Sequence, residues 1–110
     1  MFARQFRLPF NKRLPHPVSV YSPSFILKYA KSNLEYNRYG FIVSKKIDKR
    51  AVARNEIKRR FRAVIEQLHP SLPQGYDLLF ILKSDAKGKT YKELLVELGK
   101  TNLTRRLETV

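Results

Sequence analysis

A chain of 110 residues with 23 lysines and arginines against nine acidic residues has room for one domain, and its formal net charge of +14 at pH 7 favours a polyanionic partner. The absence of cysteine excludes disulfides, zinc fingers and thiol catalysis. No apolar run approaches the roughly 20 residues of a bilayer span and the start lacks a secretory signal, so we expect a soluble cytoplasmic protein without membrane association.

The first 23 residues form a proline-rich basic arm, which we separate from an α+β core at residues 24–110 of the same single domain. Four of the six prolines fall in this arm, and their density excludes a long regular helix and favours extended or turn conformations. The pattern of aromatic and β-branched residues then predicts one strand at 25–29 and another at 38–44. We expect these two strands to pair as a hairpin.

A longer helical pattern follows at residues 50–68 and stops before a proline. Residues 76–83 form a nearly continuous apolar run, which is typical of a strand covered on both faces. A capping box at Thr90 and Glu93 opens a second helix, which either ends at Gly99 or continues towards Leu107. The order strand, strand, helix, strand, helix predicts an α+β two-layer sandwich with a central strand–helix–strand unit.

The excess positive charge is concentrated in two parts of the sequence. Residues 1–33 carry six basic residues and no acidic residue. Residues 45–62 carry nine basic and two acidic residues, whereas residues 63–110 carry seven against six. A chain that needed charge only for solubility would spread it more evenly, so this pattern indicates a phosphate-binding surface.

The helix at 50–68 has distinct faces when successive residues are placed 100° apart. A core-facing stripe spans about 80° of arc and consists of Ala53, Ile57, Phe61, Val64 and Leu68. The neighbouring polar side, here called the basic face, consists of Arg54, Asn55, Lys58, Arg59 and Arg62. Glu56 and Arg60 lie on the remaining side at i,i+4, where we expect a surface ion pair.

The basic face and the residues leading into it form the candidate nucleic-acid interface. The leading residues are Lys45, Lys46, Lys49 and Arg50. An ordinary solvated helix face is the alternative, but such concentrated charge repels itself unless phosphate oxygens or other anions offset it. Arginine offers a planar fork suited to phosphate, and lysine acts as a point charge.

Little in the sequence supports catalysis by the protein itself. His16 and His69 each precede a proline and have no evident carboxylate partner, so we expect surface or turn roles for both. Asp77 and Asp85 flank a strand without forming a pair, and no glycine-rich phosphate loop occurs. We therefore predict no catalytic residue and no metal ligand.

The segment from Ser44 to Arg62 resembles the signature of the bacterial ribonuclease P protein family and reads SKKIDKRAVARNEIKRRFR. In that family a strand ending in a Lys-Lys pair leads to a helix with Arg-Asn-Arg-x-x-Lys-Arg-like spacing. The matching positions here are Lys45, Lys46, Arg54, Asn55, Ile57, Lys58, Arg59 and Arg62. The apolar strand at 76–83 and the helix start at Thr90 follow in the family order, and the resemblance covers roughly residues 25–100.

The resemblance implies a fold and a function. The strand–helix–strand crossover would be left-handed, as in the ribosomal protein S5 domain 2-like fold, although the general rule is right-handed. The protein would be the non-catalytic subunit of an endoribonuclease, binding the catalytic RNA and assisting removal of the 5′ leader from precursor transfer RNA. It would stabilise the active RNA and lower its demand for Mg²⁺, which the RNA mainly holds. The implied partners are ribonuclease P RNA and precursor transfer RNA, with no obligate protein partner.

Two departures from the family pattern concern the helix and the arm. Glu56 replaces the second arginine of the Arg-Asn-Arg triplet, on the side away from the basic face. The N-terminal helix, which lines the leader cleft in the family, is expected to be short or absent because of the prolines. The candidate leader-binding residues are Arg7, Phe10, Lys12, Arg13 and Lys28. Phe6, Phe10 and Tyr21 either stack on bases or pack into the core.

Two other functions stay open. A general RNA- or ribosome-binding protein without a ribozyme partner would bind RNA with steep salt dependence but without preference for ribonuclease P RNA. A basic helix on a membrane surface would need its apolar stripe for lipid, whereas the flanking strands need that stripe for their own core.

Overall fold

The computed structural model describes residues 3–9 and 12–108, and its centre is a four-stranded sheet in the order β1-β2-β4-β3. The strands are β1 (Val18–Tyr21), β2 (Phe25–Lys31), β3 (Arg38–Ile42) and β4 (Tyr76–Leu82). The α-helices are α1 (Ala51–Leu68), α2 (Tyr91–Lys100) and α3 (Leu103–Glu108). β3 and β4 are parallel and joined through α1, whereas the other pairs are antiparallel. The predicted α+β sandwich with a strand–helix–strand unit is confirmed.

α1 confirms the long predicted helix and its end. It stops at Leu68, before a 3-10 turn that contains Pro70, because a proline ring cannot continue the helical hydrogen bonds. The three central residues of the predicted apolar stripe are buried and the two outer ones are half-buried. Ile65 lies beside the stripe and is also fully buried. Since α1 contacts α2 as well as the sheet, its core-facing arc is wider than predicted.

α2 begins with the predicted capping box. The Thr90 hydroxyl accepts from the Glu93 N–H at 3.1 Å, and the Glu93 carboxylate accepts from the Thr90 N–H at 3.0 Å. The expected end at Gly99 is correct to within one residue, because α2 ends at Lys100, and the helical pattern towards Leu107 belongs to the separate helix α3. The break occurs at Asn102, whose φ of 53° turns the chain in the left-handed region.

The predicted hairpin between the strands at 25–29 and 38–44 is wrong, because β4 lies between them. In register, Phe80 of β4 lies opposite Leu27 of β2 and Phe41 of β3. β4 is nearly all apolar, and the central position removes from water side chains that an edge position would expose. The segment between β2 and β3 therefore crosses the end of β4 instead of making a tight turn.

The arm contains a strand that the sequence pattern did not predict. β1 pairs with β2 at the sheet edge and buries Val20 in the core. Pro17 and Pro23 flank its four residues, so prolines that exclude a helix still permit a short edge strand between them. Upstream, a single 3-10 turn at Arg4–Phe6 stands in place of a longer helix, as expected.

An aromatic cluster holds α1 against the sheet. Phe61 of α1 is fully buried, and its ring centroid lies 5.4 Å from that of Phe25 and 5.1 Å from that of Phe80. Phe41 of β3 lies at 5.8 Å. These rings meet edge-on or tilted, which their quadrupoles favour. Because one side chain contacts β2, β3 and β4, it fixes which side of α1 faces outward.

A buried carboxylate ties α2 to the turn between β1 and β2. Glu97 accepts hydrogen bonds from the Ser22 hydroxyl, from the Ser24 N–H at 2.8 Å and from the Ser24 hydroxyl at 2.7 Å. The Lys89 ammonium completes the group at 3.0 Å. Burial alone would raise the pKa of Glu97, but these donors stabilise the carboxylate and lower its pKa to about 2. Glu97 is therefore ionised in the fold.

Candidate nucleic-acid interface

The segment before α1 is a tight turn around the buried carboxylate of Asp48. Asp48 accepts from the Arg50 N–H at 2.9 Å and from its guanidinium, and the Lys87 ammonium lies 3.0 Å away. Hydrogen bonds from Arg50 and Lys87 hold the pKa of Asp48 well below its usual range. Arg54 donates to the carbonyls of Asp48 and Lys49 at 3.0 and 2.8 Å. Two predicted interface residues, Arg50 and Arg54, thus also shape the turn.

The first turn of α1 carries no acidic residue, and the Asp48 carboxylate before it is already paired with Arg50 and Lys87. Arg50 occupies the N-cap position, where Ser, Thr, Asp and Asn are usual, and it makes no side-chain cap. Lys45, Lys46 and Lys49 are exposed in the same turn. The helix dipole and the first N–H groups add to this positive field. An anion such as a phosphate group is the natural partner for this end of the helix.

The outward side of α1 presents all five residues of the basic face. Asn55 and Arg59 are exposed, whereas Arg54, Lys58 and Arg62 are half-buried. An open depression runs along this side and includes every one of them except Arg54. The Arg62 guanidinium lies 5.6 Å from the centre of the Phe41 ring, a cation–π contact that directs it towards β3. The structure therefore brings the predicted residues onto one surface.

The predicted ion pair between Glu56 and Arg60 is wrong. Glu56 pairs instead with Arg59, at 2.7 Å and a spacing of i,i+3, with both side chains at least half exposed. Arg60 donates to the carbonyl of Lys89 at 3.1 Å, a tertiary partner that helical spacing does not reveal. Glu56 therefore borders the basic face more closely than expected. An exposed pair of this kind contributes little and does not prevent Arg59 from binding phosphate.

The arm lies along the outer edge of β3 and forms a groove with it. The Leu8 N–H donates to the Tyr39 carbonyl at 2.9 Å, and Arg7 forms a parallel β-bridge with Tyr39. The groove has a volume of about 240 Å³. Its basic lining comes from Arg7 and Lys12 of the arm and from Arg62 of α1. The groove and the basic face therefore share Arg62 and form one continuous surface.

Phe6 holds the arm beside the end of α1. Its ring centroid lies 4.7 Å from that of His69 and 5.7 Å from that of Tyr36. The His69 Nδ1 atom is 2.8 Å from the Tyr39 hydroxyl, which also accepts from the Asn37 amide at 3.1 Å. His69 lies in a turn, as expected, but its contact with the arm was not predicted. Burial lowers its pKa, so the ring is mainly neutral near pH 7.

The candidate leader-binding residues are not all brought together. Arg7 and Lys12 line the groove. Lys28 lies on the sheet face away from the helices, paired in register with a β4 residue that lines the groove. Arg13 is exposed in the arm outside the groove lining. Phe10 lies outside the described residues.

The loop before α2 borders the basic surface, a contact that the sequence did not predict. Lys87 reaches the Asp48 carboxylate, and the carbonyl of Lys89 binds Arg60 of α1. Both contacts place this loop beside the start and flank of α1. Lys87 and Lys89 form no recognisable sequence motif. Only the folded arrangement shows that their loop lies beside the surface of α1.

The donors of this surface are guanidinium, ammonium and amide groups, which are suited to binding anionic oxygens. Across residues 3–9 and 12–108, no three histidine or acidic side chains cluster in a way that could hold a metal ion. Within the same part of the chain, none of the helices has the length and apolar character needed to cross a bilayer.

Known proteins with related sequences share one description. The family described as Ribonuclease P matches residues 6–107. A relative from Synechocystis, named Ribonuclease P protein component, is 38% identical over 64 residues, which cover 58% of this chain and 52% of the relative. Another of the same name from Alkaliphilus metalliredigens is 30% identical over 107 residues, covering 97% of this chain and 90% of the relative. The match with the Synechocystis protein therefore spans only about half of that protein's length.

Solved structures share the fold. The ribonuclease P protein from Staphylococcus aureus superposes with a TM-score of 0.72 at 25% sequence identity, covering 97% of this chain and 94% of that one. The likeness therefore extends over nearly the whole of both chains.

Proposed function

This chain belongs to the ribonuclease P protein family, and from that premise we propose that it binds the catalytic RNA of ribonuclease P and assists removal of the 5′ leader from precursor transfer RNA. The protein would act in the cytoplasm as the non-catalytic subunit of an endoribonuclease. Its partners would be that RNA and the precursor. The basic face would contact the catalytic RNA, and the arm groove would receive the single-stranded leader.

The observation that carries this proposal is the shared position of Arg62. Its guanidinium belongs to the basic face and also lines the groove that Arg7 and Lys12 border. A leader in the groove would therefore lie directly beside an RNA bound on α1. Such an arrangement suits a protein that holds a substrate strand next to a catalytic RNA.

The chemistry in this proposal belongs to the RNA. Phosphodiester hydrolysis would depend on Mg²⁺ held mainly by the RNA, and no side chain of the protein would take part in bond breaking. Each lysine or arginine that neutralises a phosphate replaces condensed counterions. The protein would thereby stabilise the active RNA and lower the concentration of Mg²⁺ that the RNA needs.

Reconstitution tests the proposal directly. The full-length protein is combined with a bacterial ribonuclease P RNA, and cleavage of a precursor transfer RNA is followed across a magnesium series. We expect cleavage at lower magnesium than the RNA requires alone. An unchanged requirement, with equally tight binding to an unrelated structured RNA of the same length, would instead indicate a general RNA-binding protein.

Single changes on the basic face are expected to weaken RNA binding and its salt dependence together. Lys58→Ala and Arg62→Ala should each lower the slope of log affinity against log salt by about one unit or less, because each removes about one phosphate contact. Arg54→Ala should do the same and also loosen the turn that its guanidinium bridges. Lys31→Ala, an exposed lysine on β2 away from this surface, is the charge-matched control. Slopes that match the control would show that α1 is not the interface.

Phe6→Ala is expected to reduce the preference for precursor over mature transfer RNA. Loss of the ring contacts with His69 and Tyr36 frees the arm, and Arg7 and Lys12 are then no longer held at the groove. We expect the affinity ratio of precursor to mature transfer RNA to fall on the order of tenfold, about 1.4 kcal/mol. Binding of the two RNAs by the reconstituted complex measures it.

Gly40→Val provides an independent way to displace the arm. A Cβ at Gly40 would lie 3.1 Å from a methyl group of Leu79 and 3.2 Å from Leu8, so we expect the larger valine side chain to displace Leu8 together with Leu79. Both variants should leave affinity for mature transfer RNA unchanged. If both keep the full preference for precursor, the arm groove does not bind the leader.

A further inference from the structure

A second groove lies at the opposite edge of the sheet, between β1 and α2. Its volume is about 710 Å³, against about 240 Å³ for the arm groove. Its apolar lining includes Tyr21, Pro23 and Val96. Tyr21 is 74% exposed and Val96 is 52% exposed, so neither side chain is used by the core. Packing of the core therefore does not account for the exposed aromatic ring and the apolar lining at this edge of the sheet.

The rim of this groove is basic. Lys92 and Lys100 lie on one side of α2 with Val96 midway between them, about 12 Å apart along the helix axis. Neither lysine forms an ion pair with any described residue. The acidic lining residues are already engaged, because Glu97 pairs with Lys89 and the Glu93 carboxylate caps α2. The groove therefore offers two lysines that have no ion-pair partner among the described residues, beside an exposed ring.

The loop before α2 connects this groove with the basic face. Lys89 lines the groove, and its carbonyl binds Arg60 on the flank of α1. Two residues earlier, Lys87 pairs with Asp48 in the turn that starts α1. The loop thus joins the start of α1 to the groove, with Lys87 paired to Asp48 at one end and Lys89 paired to Glu97 at the other, and with Asp85 exposed ahead of both.

We propose that the groove between β1 and α2 binds a second single-stranded RNA segment, with one base stacked on Tyr21 and phosphates beside Lys92 and Lys100. The proposal rests on the proposed function, because it takes RNA to be the partner of the adjoining α1 surface. Aromatic rings beside cations are the usual construction for single-stranded nucleic acid, since every base has a face to stack. The arm groove is at the other sheet edge, so this segment is distinct from the leader.

RNA is a better occupant than an acidic peptide on two grounds. The groove continues a surface whose partner is RNA in the proposed function. An acidic peptide would also engage Lys92 and Lys100, but carboxylates make no use of an exposed aromatic ring. The bound RNA would span two opposite edges of the sheet, with the protein joining two segments that are far apart.

Binding of fluorescent dodecauridylate to the full-length protein tests the proposal. Tyr21→Ala is expected to weaken binding at least about fivefold, whereas Tyr21→Phe should retain it because stacking needs the ring and not the hydroxyl. The double change Lys92→Ala with Lys100→Ala should lower the salt slope by about 1.4, as expected for two single-strand phosphate contacts. Ultraviolet crosslinking of the probe should label Tyr21.

The matched control removes Lys31 and Arg105, two exposed basic residues that lie outside both grooves. Melting temperatures of all variants establish that they fold alike. The proposal is overturned if the groove variants bind like this control. It is also overturned if a polyglutamate peptide protects Tyr21 from crosslinking at lower concentration than unlabelled dodecauridylate does.

Failure of this proposal is distinguishable from failure of the proposed function. In parallel, affinities for ribonuclease P RNA and for an unrelated RNA are measured on the unchanged protein and on the α1 variant Lys58→Ala. One outcome is that the unchanged protein binds ribonuclease P RNA no better than an unrelated RNA, while Tyr21→Ala still weakens dodecauridylate binding. In that case only the choice of catalytic RNA is wrong. If ribonuclease P RNA is preferred and the groove variants bind like their control, only the groove assignment is wrong.

Discussion

A chain in which alanine replaces Phe61 is expected to lose about 3–5 kcal/mol of its free energy of unfolding. Phe61 is fully buried and its ring contacts Phe25, Phe41 and Phe80, so truncation leaves a cavity among rings that belong to three strands. A sheet held by backbone hydrogen bonds cannot collapse to fill that space. Urea denaturation of the full-length chain measures the loss.

Val52→Ala is the matched control on the same helix. Val52 is 80% exposed, so its truncation should change the free energy of unfolding by no more than about 0.5 kcal/mol. A loss near 1 kcal/mol for Phe61→Ala would show that the cluster repacks easily and that Phe61 does not fix α1. Phe61→Ala should also weaken RNA binding, since the basic face depends on the position of α1.

Glu97→Gln is expected to destabilise the fold by about 2–3 kcal/mol near neutral pH. The amide replaces an ionised acceptor by a neutral one, and its NH₂ group faces hydroxyl and ammonium donors that need an acceptor. The contact between α2 and the turn after β1 therefore weakens. Glu56→Gln, at an exposed carboxylate paired with Arg59, should change stability by less than about 0.5 kcal/mol.

The Glu97 effect is also expected to depend on pH in a defined direction. The donors around Glu97 lower its pKa from 4.5 to about 2, so the folded state binds this proton less readily than the unfolded state. The stabilisation is therefore complete above about pH 5 and is lost as pH falls towards 2. Unfolding curves of the wild type and Glu97→Gln should converge over that range. A constant difference down to pH 2 would show that Glu97 is not held as a carboxylate.

The parts of the fold that follow local rules were predictable from the sequence. The spacing of Ile57, Phe61 and Val64 locates the buried side of α1, and the capping box at Thr90 locates the start of α2. Both depend only on residues within a few positions of each other. The resemblance to the ribonuclease P protein family likewise depends on one contiguous segment, and the family match over residues 6–107 confirms it.

The features that were missed depend on residues far apart in the chain. The hairpin prediction failed because β4, a strand far downstream that contains Phe80, pairs with both β2 and β3 and so separates them. The predicted pair of Arg60 with Glu56 likewise failed because Arg60 donates to the carbonyl of Lys89, a residue far along the chain. The contact of Phe6 with His69 and the bonds of Glu97 with Ser22 and Ser24 leave no periodic pattern. Sequence spacing therefore located the basic face of α1, whereas the two grooves beside it required the tertiary arrangement.

The position of β4 between β2 and β3 has a consequence for how this chain folds as it is synthesised. The sheet cannot close until residue 82 is available, so the facing edges of β2 and β3 stay unpaired while the whole of α1 is being made. Such non-local pairing slows folding and leaves strand edges open to aggregation in the interval. The helix with the basic face is locked in place only by a strand made after it. Folding of the sheet and assembly of the basic surface are therefore a single late event.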